Sequence, residues 1–169
     1  MPGLQRPIPA QAQQPQSTEE PEAEHARIRF RWTGDDIEPI SMVVLPGEYV
    51  YAERLQGGLV YVVQQGERVV AVESFQDPRR RHSYYPEPER PHEVQQTEAG
   101  EFDVTVPGEI LSTETFTGVS VRVYKIVEPP PEDELSIEGF EVFQKALTEL
   151  YVVNGAEILE RFSTLGRRN

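Results

Sequence analysis

The sequence has no cysteine, only three histidines and no long apolar run, and each of these absences excludes a class of protein or site. Without cysteine, disulfides and thiolate-bound metals are excluded. No apolar segment approaches the ~20 residues of a membrane-spanning helix, so we expect no membrane span. The N-terminus lacks the apolar segment of a secretory signal, which favours a virion or the bacterial cytoplasm as the location. The periplasm is the alternative if a signal peptide has been removed.

Positive charge is also scarce. The chain has 16 Lys and Arg residues against 29 Asp and Glu residues, which gives a net charge of -13 at pH 7. Duplex nucleic acid is bound by cationic surfaces, so we expect no nucleic-acid partner. The same excess of negative charge favours solubility.

Motifs for catalysis are missing as well. There is no serine in a Gly-x-Ser-x-Gly turn, and Gly57-Gly58 is followed by neither a lysine nor a helix start. The acidic pair Asp35-Asp36 is explained by turn chemistry. We therefore predict a protein that is not an enzyme, with no catalytic residues and no cofactor.

Two of the three histidines, His82 and His92, share a loop with acidic residues. Two imidazoles and a carboxylate are a possible zinc site. Metal ligands must be held rigidly, however, and this proline-rich loop has a spacing that fits neither a helix face nor a strand face. We predict solvated histidines and no metal site.

The first 26 residues differ in character from the rest of the chain. Residues 1–26 hold five prolines, five glutamines and an acidic patch from Glu19 to Glu24. Such a segment buries too little apolar surface to offset its ordering entropy, so a disordered polar arm is predicted. Two interpretations stay open: a solubilising tail, or an arm that orders against a neighbouring subunit.

Residues 27–128 alternate apolar and polar side chains in short segments that end at turn residues. In Arg27–Trp32 the alternation places three apolar side chains on one face and three arginines on the other. Leu59–Val63 and Arg68–Phe75, joined by a short polar turn, form the clearest hairpin. The other predicted strands are Ile40–Leu45, Glu48–Arg54, Phe102–Val106 and Phe116–Val127. This spacing predicts a mainly β domain, an antiparallel β-sandwich or a barrel-like fold.

The periodicity disappears between residues 76 and 101. A loop of this length inside a compact domain is usually functional, and this one carries the only dense positive charge in the chain. Arginines with nearby tyrosines suit docking to acidic or phosphate groups. Because acidic residues follow directly, we favour a protein partner. The predicted partner-docking residues are Arg79, Arg80, Arg81, Tyr84 and Tyr85.

Beyond residue 128 a proline-rich spacer precedes a change of period. From Leu135 to Tyr151 apolar residues recur at helical spacing, and Asn154-Gly155 is typical of a helix end. A second short helix is predicted after it, so residues 129–169 are expected to form a spacer and a C-terminal helical hairpin. Packing of these helices on the sandwich and packing on a neighbouring subunit both remain open.

These features favour a structural or assembly subunit of a larger complex, such as a phage head, connector or tail, or a bacterial envelope component. The expected partners are protein subunits, either further copies in a homo-oligomer or different neighbours. The alternative is a soluble or periplasmic β-sandwich module that binds a peptide or a carbohydrate. Such a module would use a pocket lined by Tyr49, Tyr51, Tyr61 or Tyr84. An enzyme is the third hypothesis.

Overall fold

A computed structural model describes residues 23–50, 57–83, 93–128 and 136–163. In these ranges the strands are β1 (Glu24–Thr33), β2 (Asp36–Pro46), β3 (Leu59–Gln65), β4 (Arg68–Phe75), β5 (Arg80–Ser83), β6 (Glu93–Gln96), β7 (Ala99–Pro107), β8 (Val119–Ile126) and β9 (Leu147–Asn154). The helices are α1 (Thr113–Phe116), α2 (Phe140–Gln144) and α3 (Gly155–Ser163), with a 3-10 turn at Gly108–Ile110.

The first sheet has the order β2–β1–β7, and both pairings are antiparallel. β1 and β2 are joined by a tight turn at Gly34, whose φ of 60° is a conformation that glycine adopts without strain. The predicted alternation of β1 is confirmed: its apolar side chains are buried, and its arginines are exposed on the outer face. Arg29 and Arg31 pair there with Asp103 and Glu101 of β7.

The second sheet has the order β4–β3–β8–β9 and is also antiparallel. The predicted β3–β4 hairpin is confirmed, and Val62 lies opposite Val72 in its register. Both predicted segments are rich in β-branched residues, which suit a pleated surface.

The two sheets pack face to face around one apolar core. Its largest fully buried side chains include Phe30 from the first sheet, Tyr61 from the second and Phe116 from α1. The predicted mainly β antiparallel sandwich is confirmed. The barrel-like alternative is wrong, because the described strands divide into separate open sheets.

A second, smaller apolar cluster lies on the outer face of the second sheet. Val60, Val62 and Tyr124 line this face, and Phe140 and Phe143 of α2 are buried against it. The short helix α2 therefore shields valines that would otherwise face solvent.

The predicted C-terminal helical hairpin is wrong in its first helix. α2 ends at Gln144, and Leu147–Asn154 forms strand β9 beside β8. The apolar spacing fits a helix, but β9 contains three β-branched residues, Thr148, Val152 and Val153, and pairing with β8 decides the structure. Asn154-Gly155 ends a strand, and α3 starts at Gly155. A Cβ at Gly155 would lie 1.8 Å from the carbonyl oxygen of Phe116, so this position needs glycine.

Three other predicted boundaries change. β1 begins at Glu24, so the last residues assigned to the arm belong to the sheet. Residues 76–101 are not one loop, because β5 pairs with β6 there. The predicted strand Phe116–Val127 is shortened to β8, because α1 occupies its start.

Some predictions fall outside the described residues. These include the disorder of residues 1–22, the proline-rich segment 129–135 and most of the strand Glu48–Arg54. No helix in the described ranges is long and apolar enough to cross a membrane.

Candidate functional site

The three consecutive arginines predicted for docking have different environments. Arg79 is fixed in place: its guanidinium makes paired hydrogen bonds to Asp77, at 3.0 Å to each carboxylate oxygen, and donates to the Gly34 carbonyl. The guanidinium also lies 3.8 Å from the centre of the Trp32 ring. The hydrogen bonds from Arg79 lower the pKa of the Asp77 carboxyl. Arg79 therefore stabilises the fold. Its guanidinium would have to break these hydrogen bonds before it could bind a partner.

Arg80 and Arg81 are both exposed and follow each other in strand β5. Successive strand residues point to opposite faces, so these two arginines cannot form one patch. Arg80 lines a cleft with Trp32, whereas Arg81 lies beside Gly100 and Arg31 on another surface. Tyr84 and Tyr85, the remaining predicted docking residues, lie outside the described residues.

The cleft that Arg80 lines lies at the end of the sandwich where β1 turns into β2. We call it the end cleft. It encloses about 650 Å³ and is bordered by residues from both sheets and from the β5–β6 hairpin. The residues that line the end cleft include Trp32, Asp35, Asp77, Arg79, Arg80, Lys125 and Leu150.

The end cleft has a positive balance in a strongly acidic protein. Arg79 and Asp77 neutralise each other through their paired hydrogen bonds. Two cations, Arg80 and Lys125, then stand against one further carboxylate, Asp35. Neither of these cations forms an ion pair with another described residue. Unpaired cations beside a tryptophan suit an anionic ligand.

A second polar cluster bridges the two sheets at the edge where β4 approaches β7. The Thr105 amide of β7 donates to the Tyr61 hydroxyl at 3.2 Å, and that hydroxyl donates to the Glu73 carboxylate of β4. Tyr49 donates to the same carboxylate at 3.0 Å. Burial, together with the charge of Glu73, raises the pKa of Tyr61 well above its usual value.

This cluster, formed by Tyr49, Tyr61, Glu73 and Thr105, connects the two sheets within the fold, and we call it the seam. Tyr61 is only 2% exposed, so its hydroxyl cannot reach a ligand in solution. Neither Tyr49 nor Tyr61 lines the end cleft, and Tyr51 and Tyr84, the other tyrosines expected in a binding pocket, lie outside the described residues.

The edge strands of the two sheets differ in how they are protected. β2 carries Pro39 and Pro46, which remove backbone donors from that edge. β9 contains neither proline nor lysine, and within the described ranges its one strand neighbour is β8. Leu150 and Val152 of β9 are 40% and 44% exposed. Among the residues that the structure describes, β9 thus presents an open edge with apolar side chains.

Charge on the β9 edge is already neutralised within the subunit. The one acidic residue of β9, Glu149, accepts a hydrogen bond from Arg122 of the neighbouring strand. This bond raises the pKa of Arg122. A partner strand approaching β9 therefore meets no unpaired carboxylate there.

The histidines do not form a metal site in the part of the chain that the structure describes. No group of three potential ligands comes together there. His25 hydrogen-bonds through Nδ1 to the Gly47 carbonyl oxygen and lies beside the Tyr49 ring. His92 is outside the described residues.

Comparison with protein-family models, curated proteins and solved structures found no match to this chain.

The sequence predicts docking through Arg80 but does not indicate which residues lie beside it in the end cleft. Trp32 is predicted on the apolar face of β1 and is buried there, 6% exposed, while it also borders the cleft. Lys125 was not singled out. A sequence signal did exist for Lys125, since it is one of only two lysines and follows the alternating valines of β8. The open β9 edge was missed because this segment was predicted to be helical.

Proposed function

We propose that this chain is a non-enzymatic assembly subunit of a larger protein complex, and that copies of it associate through the β9 edge. The observation that supports the proposal is this open edge, eight residues long, with Leu150 and Val152 exposed along it. Unpaired strand edges with apolar side chains pair readily with another chain, and proteins that must stay monomeric usually block them.

The distribution of charge favours a second copy of the same chain as the partner that pairs with the β9 edge. Two molecules of net charge -13 repel each other over most of their surfaces. The β9 edge is an exception, because Glu149 is paired with Arg122 and the other exposed residues of the strand are uncharged, with Leu150 and Val152 apolar. Antiparallel pairing of β9 with β9 of a second copy would join two four-stranded sheets across a two-fold axis.

The test is Val152→Lys. A lysine on this edge adds charge and should weaken the pairing, while Val152 is exposed enough for the fold to tolerate it. Val142→Lys is the matched control, because Val142 is 64% exposed and belongs to α2, not to the strand that forms the edge.

Light scattering after size-exclusion chromatography provides the measurement. We expect the wild type and Val142→Lys to associate at the same concentrations and Val152→Lys to shift toward the monomer. Equal association of all three proteins would refute a role for the β9 edge.

The end cleft favours a second function, that of a binding module. Its volume and its two cations, which form no ion pair with any described residue, suit an acidic peptide better than a neutral carbohydrate. Assembly and peptide binding are compatible if the peptide belongs to a neighbouring subunit. A virus particle or a bacterial envelope complex is the kind of assembly in which we place such a subunit.

A further inference from the structure

We infer that the end cleft binds the acidic stretch Glu19–Glu22 of a second copy of this chain, so that subunits also join head to tail. The inference rests on the proposed assembly function but uses a different surface. It assigns an occupant to the cleft and a role to the acidic part of the arm.

The cleft supplies the positive half of this contact. Arg80 and Lys125 line it without an ion pair to any described residue, and the Arg79–Asp77 pair holds the adjacent wall in place. In a chain of net charge -13, such a surface attracts the acidic segments of other copies.

The arm supplies the negative half. Glu19, Glu20 and Glu22 lie within four residues of the first described residue, Ala23. Fully extended, four residues reach about 14 Å from that point.

Geometry decides between the same subunit and a neighbour. The chain enters β1 at Glu24, and the cleft lies at the other end of β1, beside Trp32. Ten strand residues span about 30 Å. The acidic stretch therefore falls short of the cleft of its own subunit, whereas it leaves the sandwich at the end that would face the cleft of the next subunit.

A contact between opposite ends of identical subunits is heterologous. Such contacts build rings when the rotation closes and filaments when it does not. An assembly subunit with this contact and a β9 contact could extend in two directions.

Complementary charge reversal in the full-length protein tests the inference. The first variant reverses the cleft, with Arg80→Glu and Lys125→Glu. The second reverses the arm, with Glu19→Lys, Glu20→Lys and Glu22→Lys. Val152→Lys is added to the wild type and to both variants to remove the β9 contact. Thermal unfolding verifies that each protein is folded, and Arg80→Gln with Lys125→Gln replaces the first variant if the reversal unfolds it.

The readout is sedimentation velocity of each protein alone and of an equimolar mixture of the two variants. We expect each variant to lose head-to-tail association, with a dissociation constant raised roughly tenfold or more over the Val152→Lys background. In the mixture, the intact arm of the first variant can enter the intact cleft of the second, and the reversed arm of the second is complementary to the reversed cleft of the first. The two variants should therefore associate alternately and restore head-to-tail assembly.

Two results would overturn the inference. One is association of either variant alone at the level of the Val152→Lys background. The other is a mixture that stays entirely monomeric, which would leave the cleft to a different acidic protein. If the wild type without Val152→Lys still associates in either case, the proposed assembly function stands. If the wild type is monomeric at every concentration, the proposed assembly function itself is refuted.

Discussion

The seam at the β4–β7 edge allows a stability prediction from individual hydrogen bonds. In Tyr61→Phe the ring stays in the core and only the hydroxyl is lost. The Thr105 amide, in a residue that is almost fully buried, then loses its acceptor. A buried donor left unsatisfied costs about 1–3 kcal/mol. Glu73 also loses a donor, but it keeps the hydrogen bond from Tyr49.

Glu73 loses one of its two tyrosine donors, which adds to the cost at Thr105. We therefore expect Tyr61→Phe to lower the free energy of unfolding by about 2–3 kcal/mol. Urea denaturation followed by far-UV circular dichroism measures this quantity. Tyr49→Phe is the control: its hydroxyl bonds to the same carboxylate, but it is less buried and water can replace it, so a smaller loss is expected. A change below about 0.5 kcal/mol in Tyr61→Phe, the range of ordinary surface substitutions, would refute the role assigned to the seam.

Further predictions concern α2 and the titrating groups. Phe143→Ala should lower the free energy of unfolding by about 3–5 kcal/mol in denaturant titrations because Phe143 is buried against the second sheet, and Val142→Ala next to it should change it little. The pKa of Asp77 is lowered by Arg79, so its stabilising contribution is present at neutral pH and lost as acid protonates it; the stability deficit of Asp77→Asn, measured by thermal unfolding, should therefore shrink at low pH. Burial raises the pKa of Tyr151 from 10.0 to about 12, so its contribution is complete below pH 10.0 and lost as the pH rises toward 12. Tyr151→Phe should accordingly lose less stability than the wild type over that interval.

The sheet alternation was predictable from sequence because each strand of the sandwich has one face toward the core. From Ala26 to Trp32 in β1 every second residue is buried, and this follows from the period of two alone. The β3–β4 hairpin was equally predictable, since its strands and turn are local in sequence.

Strand β9 was not predictable in this way. Phe140, Phe143, Leu147 and Leu150 share a helical spacing, but the first two cover the outer face of the sheet and the last two belong to β9. What separates them is pairing with β8, which is more than twenty residues away along the chain. The spacing of apolar residues in one sequence carries no information about such a long-range contact.

The end cleft shows the same limit at a functional site. Trp32, Arg80 and Lys125 are far apart in sequence and meet because β1, β5 and β8 all reach the same end of the sandwich. The density of arginine pointed to a segment that borders the cleft. It gave no indication that Arg79 is held by Asp77 or that Arg80 and Arg81 face different surfaces.

The central claim is that this chain assembles with itself, and the mass of the unmodified protein in solution tests it most directly. Sedimentation equilibrium over a wide concentration range compares that mass with the 19.2 kDa of one chain. The account predicts a mass that rises with concentration at low and at high salt, because salt weakens the electrostatic cleft contact but also screens the repulsion that opposes the β9 contact. A mass of one chain at every concentration, at low and at high salt, would contradict it.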